Sequence, residues 1–391
     1  MKINNINVYH ADAGWRPWTF IKISTDEGIV GWSECSDSHG SPRGIEGVIN
    51  DLSFLLIGEN PLNINKILNI LYSRTRQSPG SIIKKSIAGI ENALWDIKGK
   101  YSNQPVYELL GGCLRNRIEL YWSHCGTSRV RASKLINKPQ ISNFSDLEIF
   151  SKEIINSGFK SIKTNMAILS GEPYIYMPGF AKSAGWPDLN LSIAIEKDII
   201  SWISHFRRYL GDDIDIALDL NFNFRNEGFI KISQEIEEFN LAWVEIDSYD
   251  PKSLNEIKNA INIPITSCEN LYGLREFMPY FENRSMDIVS IDVIWNGLLE
   301  SIKIANTAEI HNMNVTSHNF NGHLATFISM HFCSILNNFK IAEFDVDDVP
   351  WRDELFTDIP TINEGNFEFN NKPGWGCNLN EIALKKYKWT P

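Results

Sequence analysis

Lys163 and Asn165 stand two residues apart in the stretch SIKTNM, Ser161–Met166. In an extended strand such a pair shares one face. A lysine on that face could take up a proton, whereas an asparagine cannot act as a base at ordinary pH. Further along, Asp219, Glu245 and Glu269 close three successive apolar runs. Three carboxylates brought to one place repel one another unless a cation lies between them, and oxygen-only ligands suit a hard divalent ion, Mg²⁺ first among them. Taken singly, such acids are more often solvated or cap the next helix. Three in succession, facing a histidine and an aspartate, point to a metal site instead. Asp292 and His318 close the next two runs. An aspartate that accepts a hydrogen bond from one imidazole nitrogen leaves the other free as a base. Of the eight histidines, His318 is the first candidate for chemistry and His124 the second, as a substrate contact. His323 and His331 fall on the following helical stretch and read as packing residues.

What must hold these groups together is legible in their spacing. Eight short apolar runs with polar ends follow residue 118: IELYWSH, KSIKTN, IDIALDLN, LAWVEID, IPITSCE, DIVSID, NVTSH and FKIAEFD. From Asp219 through Glu245, Glu269, Asp292 and His318 to Glu343 the steps are 26, 24, 23, 26 and 25 residues. A strand plus a helix repeated at that interval predicts a (β/α)8-type barrel, which gathers its strand ends at one mouth. The one long interval holds an insertion at 167–188, rich in Gly, Pro and Tyr, which reads as a long loop over that mouth. Residues 1–117 form an α+β region. TFIKISTDEGIVGWSE reads as a hairpin turning at Asp26-Glu27-Gly28, and Ile83, Ile87, Ile90, Leu94 and Ile97 make one apolar helix face. The stretch GGCLRNR, Gly111–Arg117, marks the joint. The barrel spans 118–354, and a tail, 355–391, packs outside it.

Composition removes several alternatives. A net charge of −11 argues against a nucleic-acid partner. No apolar run is long enough to span a bilayer, and MKINNINVYH lacks the apolar stretch of a signal peptide, so a soluble cytoplasmic protein with no membrane partner is expected. The six cysteines form no C-x-x-C pair. Free thiols in a reducing compartment are the simplest assignment, with Cys125 and Cys268 near strand ends.

Together these residues resemble the enolase superfamily, mandelate racemase/muconate lactonizing branch. The resemblance covers nearly the whole chain. It is carried by the N-terminal region ending in ALWDIKGKYSNQPVYELLGG, by the barrel acids and by SHNFNGH after the seventh strand. It implies an N-terminal capping domain on a modified TIM barrel, a homo-oligomer between dimer and octamer, and one Mg²⁺ per subunit on Asp219, Glu245 and Glu269. Asn221 matches a polar neighbour of that site. Lys163 matches the first lysine of the family's K-x-K motif, Asn165 occupies the second lysine's place, and Asp292 with His318 matches the dyad on the opposite face of the substrate. Glu343 matches an acid that donates a hydrogen bond to a carboxylate oxygen. Trp15, Arg16 and Trp18 lie in what resembles a first lid loop, and His39 near a second, all as substrate contacts. The acids of DVDDVPWRDEL, Asp345–Leu355, read as a solvated loop. A racemase needs a base on each face, and here one face carries asparagine. The resemblance therefore implies loss of a β-hydroxyl: a dehydratase of a small-molecule sugar acid, aldonate or aldarate, giving a 2-keto-3-deoxy acid. A racemase or epimerase using Lys163, and a non-catalytic sugar-acid-binding or scaffold protein, are the alternatives.

Overall fold

A computed structural model describes residues 1–37, 40–180 and 189–390. The chain opens with a three-stranded antiparallel sheet, β1 (Ile3–Asp12), β2 (Pro17–Thr25) and β3 (Val30–Glu34). The β2–β3 turn falls where the sequence places it. Gly28 takes φ +81°, and Thr25 and Ile29 exchange backbone and hydroxyl hydrogen bonds across it. Three helices follow: α1 (Pro42–Ser53), α2 (Ile64–Arg74) and α3 (Ser81–Ser102). Ile87, Ile90, Leu94 and Ile97 of α3 are fully buried and Ile83 is partly so, as their three- and four-residue spacing predicts.

Eight parallel strands then close on themselves. They are β4 (Arg117–Ser123), β5 (Ser161–Asn165), β8 (Asp215–Asn221), β9 (Trp243–Ile246), β10 (Ile265–Ser267), β11 (Ile288–Ile291), β12 (Asn314–Ser317) and β13 (Phe339–Asp345), and β13 pairs back onto β4. All eight coincide with the apolar runs. Seven of the intervals carry a helix: α5 (Phe144–Ser157), α6 (Ile193–Leu210), α7 (Asn226–Glu235), α8 (Pro251–Ala260), α9 (Leu274–Glu282), α11 (Leu298–Ile310) and α12 (His323–Ser334). Short helices α4 (Thr127–Ala132) and α10 (Val293–Asn296) follow β4 and β11 at the mouth. After β13 the chain makes a hairpin, β14 (Thr361–Asn363) and β15 (Asn366–Glu368), that pairs antiparallel with the start of β4, and then α13 (Glu381–Lys386). The insertion differs from a plain loop. Its first part is a two-residue-per-strand hairpin, β6 (Ala167–Ile168) with β7 (Tyr174–Ile175), because its apolar residues find partners in each other; 181–188 lie outside the described residues.

The ALWDIKGKYSN segment ties the two ends of the chain together. Asp96 on α3 accepts from Trp32 N–H at 2.8 Å and Trp375 N–H at 3.0 Å, and pairs with Lys100. Gly99 lets Gly374 approach so closely that a Cβ would stand 2.6 Å from its Cα. No described helix is long and apolar enough to cross a membrane, and the described cysteines are all unpaired.

Candidate active site

The strand ends bring Lys163, Asn165, Asp219, Asn221, Glu269, His318, Glu343 and His124 around one cavity of about 70 Å³. Glu245 borders it through Lys163, whose ammonium donates to Glu245 Oε2 at 2.6 Å and lies 3.1 Å from Glu343 Oε1 and 3.8 Å from Asp219. Burial alone would strip the proton from Lys163, but these carboxylates outweigh it and hold the ammonium well above the usual lysine range.

The dyad is formed. Asp292 caps α10 by accepting Trp295 N–H at 2.8 Å, and its other oxygen is 2.8 Å from His318 Nδ1. His318 Nε2 is thereby turned to the cavity, 3.4 Å from Glu269. Burial would favour the neutral ring, yet the bond to Asp292 and the charge of Glu343 raise its proton affinity. The rings of Trp295 and Phe320 flank it at 5.2 and 5.0 Å. The N-terminal domain supports this wall. Ser36 O accepts from Trp295 Nε1 at 2.7 Å, and buried Lys85 sits 3.8 Å over the same indole while paired with Asp37. Buried Glu34 of β3 accepts from Gly322 and Ala325 N–H, fixing the start of α12 just beyond His318.

On the opposite wall Asn165 accepts from Thr127 Oγ1 at 3.2 Å and reaches Asn221 at 3.4 Å. These amides and hydroxyl offer hydrogen bonds and no base. Glu343 differs from the protonated donor expected of it. Ser123 Oγ, Asn319 N–H and Lys163 all aim donors at its oxygens. Burial would raise the carboxyl, but Lys163 and His318 dominate and hold it at about 2, so it stands as a carboxylate that accepts.

The acids are crowded. Burial, and then repulsion from neighbouring carboxylates, raises Glu269 far above the usual range. Asp219 is raised to about 6, chiefly by burial with Lys163 opposing. Asp247, which the strand-end pattern overlooked, is buried and pushed to about 8 by burial and by Asp219 and Glu245. Its signal was there: it stands two residues beyond Glu245, the same offset as Asn221 from Asp219. Glu245 Oε1 and Asp247 Oδ2 are buried without a hydrogen-bond partner. Orphaned carboxylate oxygens amid like charges are what a hard divalent cation satisfies, so the donor set of Asp219, Glu245 and Glu269 fits Mg²⁺. As placed, no three His, Cys, Asp or Glu side chains among the described residues close round a common point. Lys163 spans Glu245 Oε2 and Glu343, and Glu245 Oε1 stays open.

Of the lid residues, Trp15 reaches the cavity, stacked on Phe320 with 6.2 Å between ring centroids. Arg16 and Trp18 do not. Arg16 is buried, donating to Phe320 O at 2.7 Å and to Asp348 at 2.8 Å, and Trp18 lies in the core of the N-terminal domain. His39 lies outside the described residues. The partner of Arg16 overturns the solvated-loop expectation for Asp345, Asp347 and Asp348, whereas Asp353 and Glu354 of the same segment are exposed as expected. Asp345 and Asp347 are buried and Asp348 is half-buried with its carboxylate turned inward to Arg16; Asp347 pairs with buried Arg129 at 2.7 Å and Asp345 is 3.4 Å from His124. Met177 and Phe180 of the insertion complete the cavity, as does Arg131 of α4, none of which sequence reasoning singled out. His323 and His331 are buried in packing positions, each with a partner away from the cavity.

Two family models match the chain: Enolase C-terminal domain-like over residues 151–383, and Mandelate racemase / muconate lactonizing enzyme, N-terminal domain over residues 10–111. Among curated proteins it is similar to the D-galactonate dehydratase of Pectobacterium atrosepticum, 27% identical over 409 residues that cover 100% of this chain and 96% of the relative. That of Xanthomonas campestris pv. campestris is also 27% identical, over 401 residues, covering 100% and 95%. Among solved structures, a Burkholderia xenovorans LB400 protein provisionally named an L-alanine-DL-glutamate epimerase superposes with TM-score 0.96 at 40% identity, covering 99% of this chain and 98% of that one. The same protein has been solved bound to magnesium and fumarate, with TM-score 0.96.

Proposed function

The chain belongs to the mandelate racemase/muconate lactonizing enzyme family of the enolase superfamily, and from that premise we propose that it is a Mg²⁺-dependent dehydratase of sugar acids. The observation that carries this is the one-sidedness of the cavity, with a histidine–aspartate dyad on one wall and Asn165 on the other. The named dehydratase relatives, and the magnesium in the Burkholderia structure, support it.

Asp219, Glu245 and Glu269 would hold the ion, which would supply positive charge beside the substrate carboxylate. His318 Nε2 takes the α-proton. Asp292 keeps the other nitrogen protonated and steadies the imidazolium that forms, a general-base contribution worth about 10²–10⁴-fold. Lys163 holds a permanent positive charge at the cavity wall, against the negative charge that develops on the substrate carboxylate. With no base on the far wall to return a proton there, His318 gives its proton to the β-hydroxyl. The C–O bond breaks, water leaves, and the enol that remains becomes a 2-keto-3-deoxy acid. Trp15, Met177, Phe180 and Phe320 give the cavity an apolar rim.

An epimerase would need Lys163 as the second base. Its ammonium is held between Glu245 and Glu343, and a lysine so clamped is a poor proton acceptor. The test is turnover of a sugar-acid library in D₂O with Mg²⁺. Keto-acid product is expected, and recovered substrate that has exchanged its α-hydrogen should keep its configuration. Recovered α-inverted, deuterated substrate would replace the dehydratase with the epimerase, and no turnover of any member would remove both.

A further inference from the structure

We propose that Arg131 and the pocket outside it bind a second anionic group, so that the acid sugar used here is charged at both ends; the proposal rests on the acid-sugar dehydratase function above. The catalytic cavity, about 70 Å³, is far smaller than the adjoining pocket of about 960 Å³, and Trp15, Arg131, Met177 and Phe180 line both. The far end of a six-carbon acid held at the dyad reaches toward those four residues.

Only Arg131 of those four carries charge. Arg131 is exposed as a residue, but its guanidinium is packed enough that desolvation lowers its proton affinity; it lies 5.1 Å from the Trp15 ring centroid and has no hydrogen bond or ion pair among the described residues. The other arginines near the mouth differ: Arg16 and Arg129 are buried and held by Asp348 and Asp347. The carboxylates that Arg131 feels, Asp345 and Asp348, already face His124 and Arg16. The outer pocket adds Lys134, and no Asp or Glu lines it among the described residues. The planar guanidinium, set against the Trp15 indole, presents a rigid donor fork that receives a carboxylate or phosphate through two parallel hydrogen bonds. A terminal hydroxymethyl group would leave that fork unused.

The experiment compares three substrates of one configuration with the Mg²⁺-loaded protein: the six-carbon aldarate, the aldonate and the aldonate 6-phosphate. The parent should favour a doubly charged acid over the aldonate by about 10- to 100-fold in kcat/KM, the worth of a charge-assisted hydrogen-bond pair. Whichever of the two is better names the anion. Arg131→Leu should collapse that ratio to within about threefold of one, mainly through KM, and Arg131→Lys should restore part of it. An aldonate used as well as both charged acids, or an equal loss on all three with Arg131→Leu, would overturn the proposal. Calorimetric binding of adipate against hexanoate gives a readout free of turnover. Adipate should bind more tightly to the parent and lose that advantage in Arg131→Leu, and equal binding to the parent would sink the second anion site. If adipate is preferred while no sugar acid is turned over, the anion site stands and the dehydratase function falls.

Discussion

The two ends of the barrel are built on opposite terms, and two histidines show it. At the mouth, His318 has Nδ1 bonded to Asp292 and Nε2 turned to a cavity of crowded acids. At the other end of the same strand–helix unit, His331 of α12 has both nitrogens committed. Nδ1 accepts from Tyr107 N–H at 3.2 Å and Nε2–H donates to Trp375 O at 3.2 Å, inside a box of Tyr107, Phe369 and Trp375 rings. Positive φ does not divide the ends: His124, Asn221 and Cys268 take it after β4, β8 and β10, and Asn240, Arg284 and Asn312 take it before β9, β11 and β12. What the mouth alone gathers is orphaned carboxylate oxygens on Glu245 and Asp247 amid like charges. The difference teaches which groups are kept for chemistry: those whose environment would be cheaper without them.

The largest effect that sharpens this contrast is His318→Asn. It should lower turnover by about 10⁴-fold, the top of the general-base range, while leaving the fold and Mg²⁺ binding intact. Asp292→Asn should lose roughly 10²–10⁴-fold, since the imidazole loses the group that fixes its tautomer, and it also weakens the cap on α10. Turnover of His318→Asn within tenfold of the parent would break the contrast, because the mouth histidine would then be a packing residue.

His331→Gln should do the reverse, with turnover near the parent's and a stability loss of roughly 2–3 kcal/mol from lost ring packing and hydrogen bonds. Its pH dependence carries the sign. Burial pushes the folded His331 down to about 3, with the bond to Trp375 opposing. Its unfolded value is near 6.5, so the unfolded chain binds the extra proton. The stability is present above about 6.5 and lost as pH falls toward 3, by at most ~1.4 kcal/mol per pH unit. Urea unfolding at pH 7 and pH 5 should therefore show a smaller acid loss in His331→Gln than in the parent. Equal losses would mean that His331 protonates in the fold without penalty.

The strands and the convergence of their ends were legible because a repeated strand-plus-helix interval survives any detail of packing. The dyad and the acids at the strand ends followed from it, since position along a barrel strand fixes which end a residue occupies. What was not legible depends on partners distant in sequence. Asp347 and Asp348 look solvated until Arg129 and Arg16, more than 200 residues earlier, are folded against them. Arg16 and Trp18 look like lid residues until β2 turns Trp18 into the core and Asp348 claims Arg16. Trp295 and Lys85 support His318 only because two domains meet there, which no periodicity encodes. Asp247 was within reach, since the two-residue alternation that pairs Asp219 with Asn221 applies equally to Glu245.

Asp247→Asn is the smallest effect and the most direct test of what the mouth gives up. Asp247 is buried and its Oδ2 has no partner; Asp219 and Glu245 bear on it with like charge, against one hydrogen bond from the Asn270 side chain. Its backbone is held independently, by donation to Asn221 O at 3.2 Å, so an amide of the same shape can replace the carboxyl without moving the chain. In metal-free protein, with EDTA present at pH 8, the variant should be more stable than the parent by about 1 kcal/mol, the size of gain that relieving one functional repulsion gives. The advantage should shrink when Mg²⁺ is added, because the ion offsets the same repulsion in the parent and stabilises the folded state by binding it. Turnover should fall. Improved stability with reduced turnover at the mouth, beside the reverse at His331, would establish the division between the two ends. A metal-free Asp247→Asn protein less stable than the parent would show that the bond to Asn270 outweighs the repulsion, and the contrast would narrow to the histidines alone.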